Sequence, residues 1–189
     1  MDRLEQVKEA ADRLERERFA ARCRELEQVY AGRDYRAMAV QAFTGLMDMA
    51  AEQDKETAWL GIFPLHVGLA TGSHEVLLAL YGEEFYFDPL PLCRYWRPPV
   101  FDLYFEEDME QIMKELRRHF PRIWRYEEDV VRRLCVEYYH AALWRLCAGL
   151  EEEILETESF RRMKRAQHFT AFFGRFRGEG EILWQLENV

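Results

Sequence analysis

The stretch "AWLGIFPLHVGLATGSHEVLLALY", residues 58–81, is where the chain changes period. Up to residue 52, apolar side chains recur every three or four positions, as on one face of a helix. From Ala58 to Leu65 they run almost unbroken and are rich in β-formers, which reads as a buried strand. A polar connection follows, then a second apolar run. Gly82-Glu83 suits a two-residue turn with glycine in its first central position, so "EVLLALYGEEFYFD" (75–88) predicts a β-hairpin. The same residues allow one alternative, a helix through 73–81 capped by Ser73.

Upstream of this switch lies a helical pair. Leu4, Val7, Ala11, Leu14, Phe19, Cys23, Leu26 and Tyr30 form a drifting apolar stripe over 2–30. Gly32 can end that helix and Asp34 can cap the next, which runs over 34–52 and carries Met38, Ala42, Phe43, Leu46 and Met49 inward. Together they predict an N-terminal αα-hairpin. The junction "YAGRDYRAMA" (30–39) resembles a tetratricopeptide corner, but no second copy occurs, and a solenoid needs at least about three repeats.

Downstream, "PLPLCRYWRPPVFD" (89–102) holds four prolines and predicts an extended crossing segment. Helices are expected over 106–119, over 127–156 with a bend at Gly149, and over 159–172. The first of these has Glu106, Glu107 and Asp108 at its start and Arg117, Arg118 and His119 at its end, which suits the macrodipole. "GEGEILWQLE" (178–187) reads as a closing strand. The expectation is an α+β fold, mostly helical with about five helices, and a small antiparallel sheet from 58–88 and 181–187. One domain spans 1–189, with the hairpin 1–53 packed on an α+β body, 54–189. No βαβ alternation marks a parallel nucleotide-binding fold.

Composition narrows the function. The 189 residues are 49% hydrophobic, with thirteen Phe, nine Tyr and five Trp, enough for a continuous core. A net charge of -9 repels phosphate backbones and anionic lipid surfaces, which argues against nucleic-acid and membrane partners. Cys23, Cys93, Cys135 and Cys147 form no CxxC pair and read as buried, reduced thiols of a cytoplasmic protein. The opening "MDRLEQVKEAADRLERER" is charged throughout, unlike a signal peptide.

Four groups of residues bear on chemistry. Glu137-x-x-His140 has the spacing used by di-iron carboxylate bundles, but those need a second copy. Asp129, Arg133, Glu137, His140 and Glu151 share one helical stripe with i,i+4 charge pairs, so a solvated face is expected there and no metal site. The basic and aromatic run over 161–177 suits single-stranded nucleic acid only in isolation, since the whole chain is acidic. Cys93 beside Arg94 and Arg97 suggests a thiolate, yet a phosphatase-type C-x5-R spacing falls on Pro99.

The fourth group is "HVGLATGSHE" (66–75). Gly68 and Gly72 permit close backbone approach, and His66, Thr71, Ser73, His74 and Glu75 supply polar groups, making these five the candidate ligand-binding residues. No phosphate loop is present, because no lysine follows the second glycine. No cofactor motif is found and none is expected. The sequence therefore points to a binding or interaction protein for another protein or a small ligand. The alternative is an enzyme with a His/Glu site assembled in space around 66–75. The width of the N-terminal stripe, beyond what one partner helix covers, predicts a homodimer.

Overall fold

The computed structural model describes residues 2–66, 69 and 72–187. Its elements, in chain order, are α1 (Arg3–Ala31), α2 (Arg33–Glu52), β1 (Thr57–Pro64), β2 (Val76–Tyr81), β3 (Leu92–Trp96), α3 (Glu106–His119), α4 (Arg125–Ala148), α5 (Glu151–Leu155), α6 (Glu158–Arg162), β4 (Arg165–Gly174) and β5 (Gly180–Glu187). The α+β class expected from the period switch is present. The sheet differs from expectation: it has five strands in the order β3-β2-β1-β4-β5 and is mixed, because β1 and β4 run parallel. No described helix is long and apolar enough to cross a membrane.

The chain divides into two compact units, one made of Met1–Tyr30, His66–His74 and Pro98–Leu143, the other of Ala31–Leu65, Glu75–Arg97 and Trp144–Val189. The two helices read as one hairpin thus fall in different units.

The second unit holds the sheet. Strands β1 and β2 pair antiparallel with Phe63 opposite Leu77 and Trp59 opposite Tyr81, and side chains alternate between two faces. One face gathers Phe63, Leu77, Ala79 and Tyr81, with Trp59, Phe85, Tyr86 and Phe172 packed on them. Gly61 leaves room for these rings: a Cβ there would lie 2.3 Å from the Phe63 ring.

Four local expectations fail. The run 83–88 does not form the second arm of a hairpin. Asp88 accepts hydrogen bonds from Lys55 Nζ and from the Gly82 backbone N–H, both at 2.7 Å, and so ties the chain into a loop. Phe85 and Tyr86 then cap the sheet face as a loop, and β3 supplies the arm instead. Segment 89–102 is accordingly part strand, and at Phe101–Phe105 it is already helical, with a π-type turn running into α3.

The helix expected over 159–172 stops at Arg162, and β4 begins at Arg165. This strand lies between β1 and β5 and buries Phe169, Thr170, Ala171 and Phe173 in near succession. A run that is apolar on both faces loses the alternation that would have marked it. The long helix over 127–156 is likewise broken after Ala148, which places Glu151 on a separate helix, α5.

The first unit is helical. Val7, Ala11 and Leu26 of α1, Met109, Ile112, Met113 and Leu116 of α3, and Val131, Cys135, Val136 and Tyr139 of α4 are buried in it. Glu127 is buried too. Its carboxylate accepts from Arg3 Nε and from the Trp124 backbone N–H, both at 2.8 Å, which closes the start of α4. On α1 no large hydrophobic side chain is exposed, and Leu4, Leu14 and Phe19 of its apolar stripe are half-buried. Exposed apolar residues lie elsewhere, chiefly Phe87, Leu90, Tyr95 and Phe176 in the second unit and Leu103 and Tyr126 in the first.

Candidate functional site

The connection 66–75 is the natural place to begin. It follows β1, which ends at Pro64, and precedes β2, which starts at Val76, so Ser73 caps no helix. Thr71, along with Gly68, lies outside the described residues. Ser73 and Glu75 are half-buried, and Glu75 belongs to the second unit through its carbonyl, which accepts from the Leu65 backbone N–H at 3.0 Å. The two histidines go to different partners within the first unit.

His74 is buried, stacked on Phe101 at 5.6 Å between ring centroids and edge-on to Phe105 at 5.1 Å. Its Nε2 stands 2.6 Å from Glu106 Oε1, so that nitrogen carries the proton and donates to the carboxylate. Arg132 of α4 donates to the same oxygen, and its Nε donates to the Leu69 carbonyl at 3.2 Å. Burial alone would raise the Glu106 pKa, but the His74 and Arg132 hydrogen bonds outweigh it and hold the carboxyl down at about 2. Glu106 is therefore an anion at any working pH, and the Leu69 end of the connection is pinned to α3 and α4.

Beside this network is a cavity of about 540 Å³, lined by Leu69, Gly72, Glu106, Ile123, Arg125, Glu128, Asp129 and Arg132. Its wall is charged with both signs. The volume suits a molecule of metabolite size.

His66 turns the other way, toward α4. Its Nε2 lies 3.7 Å from Glu137 Oε1, and His140 Nδ1 lies 3.9 Å from Glu137 Oε2. The imidazoles meet edge to face at 5.1 Å. One donor atom from each of the three residues lies within 4.8 Å of the others. His140 does not behave as a member of a solvated face: its side chain is only 12% exposed, and its ring lies 5.8 Å from that of Phe101. The helical stripe correctly put Glu137 and His140 on one side of α4, and only the return of the chain after β1 supplies His66.

A polar cluster unread in the sequence occupies the middle of the same unit. Asp108, fully buried, accepts from Arg22 Nε and Nη2 at 3.1 and 2.8 Å, from Arg18 Nη2 at 2.9 Å and from the Tyr139 hydroxyl at 2.6 Å. Burial opposes ionisation here too, but the Arg22, Tyr139 and Arg18 donors hold Asp108 below the usual carboxylate range. Nearby, Glu15 is buried with the Cys135 thiol beside its carboxyl and, among the described residues, no nitrogen or oxygen donor to it. Desolvation, assisted by the Asp108 charge, raises it to about 7. A signal for both existed. Glu15 and Arg22 stand at i,i+4 from Ala11 and Leu26, and Asp108 at i,i+4 from Ile112, all on the buried stripes.

The remaining motifs resolve simply. Cys135 and Cys147 are buried as expected, but Cys23 is half-buried on α1 and Cys93 is exposed on β3, with its sulfur in part shielded. Burial of its sulfur and the Asp88 charge raise its pKa, so it is no activated thiolate. In the basic run, Arg162 pairs with Asp48 at 2.7 Å, Lys164 with Asp54 at 3.5 Å, and the Arg165 guanidinium lies 4.3 Å from the Phe160 ring centroid. A second concavity, of about 520 Å³, is lined in the second unit by aromatic residues including Tyr81, Tyr86, Phe87, Tyr95 and Phe176. Comparison of the chain with known protein families, curated proteins and solved structures finds no match.

Proposed function

We propose that this protein is a cytoplasmic binding protein for a small zwitterionic molecule, held in the cavity of the first unit. One observation carries the reading: Leu69, Gly72 and Glu106 line a cavity with α4, which presents Arg125, Glu128, Asp129 and Arg132 to it from a single helix. A ligand carboxylate would pair with Arg125 or Arg132 and an ammonium group with the neighbouring Glu128 or Asp129. Arg132 is suited to the role because Glu106 and the Leu69 carbonyl already fix its guanidinium, so little rotamer entropy is lost on binding. The test is calorimetric titration with the twenty free amino acids as probes. At least one should bind at millimolar concentration or below. Arg132→Ala should abolish that binding, and Arg118→Ala, on the exposed side of α3, should leave it intact. Silence from all twenty sinks the reading.

A second reading, self-association, is favoured by a different observation. Phe87, 85% exposed, lines the aromatic concavity with Tyr95 and Phe176, and Leu90, between its Pro89 and Pro91, is 76% exposed. Clustered exposed apolar groups mark interaction surfaces, and a second copy of the same chain is the commonest partner. This homodimer would use the aromatic concavity of the second unit in place of α1. An enzyme with a site assembled around 66–75 draws its support from the convergence of His66, Glu137 and His140.

A further inference from the structure

We infer that His66, Glu137 and His140 bind one divalent transition-metal ion of the zinc type, leaving a coordination position open to solvent. The site shares no residue with the lining of the small-ligand cavity. Two imidazole nitrogens and one carboxylate oxygen form the three-ligand set that zinc takes when its fourth position is left to water. The same donors serve other borderline divalent metals and are too nitrogen-rich for calcium or magnesium.

Geometry narrows the choice. Ligand bonds of about 2.0–2.1 Å in a tetrahedral site put donor atoms about 3.3 Å apart. His66 Nε2 stands 3.7 Å from Glu137 Oε1 and His140 Nδ1 3.9 Å from Glu137 Oε2, and one donor atom from each of the three residues lies within 4.8 Å of the others. Side-chain rotations that close these separations, by at most about 1.5 Å, complete the set. Octahedral edges are shorter, about 3.0 Å for the same bond lengths, and would demand more movement.

Construction of the site also favours a metal. Glu137 and His140 are three apart on one helix, so their side chains share a face with no adjustment of the backbone. His66 arrives from a separate part of the chain, which makes the third ligand independent of the helix. The inner ligand, His140, is held between the His66 and Phe101 rings, at 5.1 and 5.8 Å. Glu137 and His66 remain 48% and 33% exposed, so the open position faces water. A metal-bound water there would be acidified and available as a nucleophile.

The experiment uses full-length, tag-free protein stripped with a chelator and dialysed against Zn2+. One ion per chain is expected. His66→Ala, Glu137→Gln and His140→Ala should each weaken binding at least tenfold, while His119→Ala and His168→Ala, on exposed positions of α3 and β4, should leave it unchanged. Co2+ in place of Zn2+ should give the intense visible absorption of a tetrahedral site, and Glu137→Gln should diminish it. Far-UV circular dichroism checks that each variant is folded, and Glu137→Gln, on a half-exposed side chain, serves if a histidine variant is not. Substoichiometric zinc, or zinc binding that His66→Ala and Glu137→Gln leave intact, overturns the assignment.

Discussion

Two carboxyl groups in the first unit titrate in opposite senses, and stability should follow them. Glu15 is raised from 4.5 to about 7 by burial. The folded state therefore holds its proton more tightly than the unfolded chain. Its contribution is complete below pH 4.5 and is lost as pH rises toward 7. A shift of that size corresponds to about 3 kcal/mol. Glu106 is lowered from 4.5 to about 2, so its contribution is complete above pH 4.5 and is lost as pH falls toward 2. Urea unfolding should accordingly find a maximum in stability near pH 5. Glu15→Met should be more stable than the parent at pH 8 and closely matched to it at pH 4.5. A Glu15→Met effect equal at both values would show that the carboxyl does not titrate in this window. Thiol reactivity is a second prediction at this scale. Cys93 should label in the native protein, though more slowly than a free thiol because its pKa is raised, whereas Cys135 and Cys147 should wait for denaturant. Labelling of Cys147 as fast as Cys93 would contradict the packing of α4.

Strands β1 and β2 show how an element depends on one absent side chain. Gly61 faces Phe63 and Tyr81, and both are buried, so neither ring has space to retreat. Gly61→Ala should cost about 1–3 kcal/mol by overpacking, read as a lower urea midpoint with unchanged slope. A loss below about 0.5 kcal/mol would mean that the cluster relaxes freely. Elements with one buried face were legible: α1, α2 and α3 lie within a residue or two of where their apolar period places them. Strand β4 was not, since an apolar run buried on both faces fits helix or strand equally. The loop 83–88 was missed because its aromatic residues mimic a strand, while the contact that bends it, Lys55 to Asp88, joins residues 33 apart in sequence.

For the whole molecule, the homodimer proposed through Phe87, Leu90, Tyr95 and Phe176 makes a direct prediction. Sedimentation equilibrium at tens of micromolar should give the dimer mass, and Phe87→Asp with Leu90→Asp should return the monomer. A monomeric parent ends the idea. Of the candidate site, the sequence singled out the segment 66–75 but not the side chains that its histidines meet. It could place Glu137 and His140 on one face by helical spacing, yet it assigned that face to water because nothing local pointed to His66. The carboxylates Glu106 and Asp108 were read as helix-dipole complements, although Asp108 lies on the buried stripe and binds two arginines and a tyrosine. What the sequence by itself determined was the local order: the helices, the switch to strands at 58, the acidic surface and the aromatic core. These follow from side-chain periodicity and composition, which act over a few residues. Only the tertiary structure decided the parallel pairing of β1 with β4, the meeting of His66 with Glu137 and His140, and the burial of Glu15. Each joins residues tens of positions apart, and no short-range pattern encodes the chain path that brings them together.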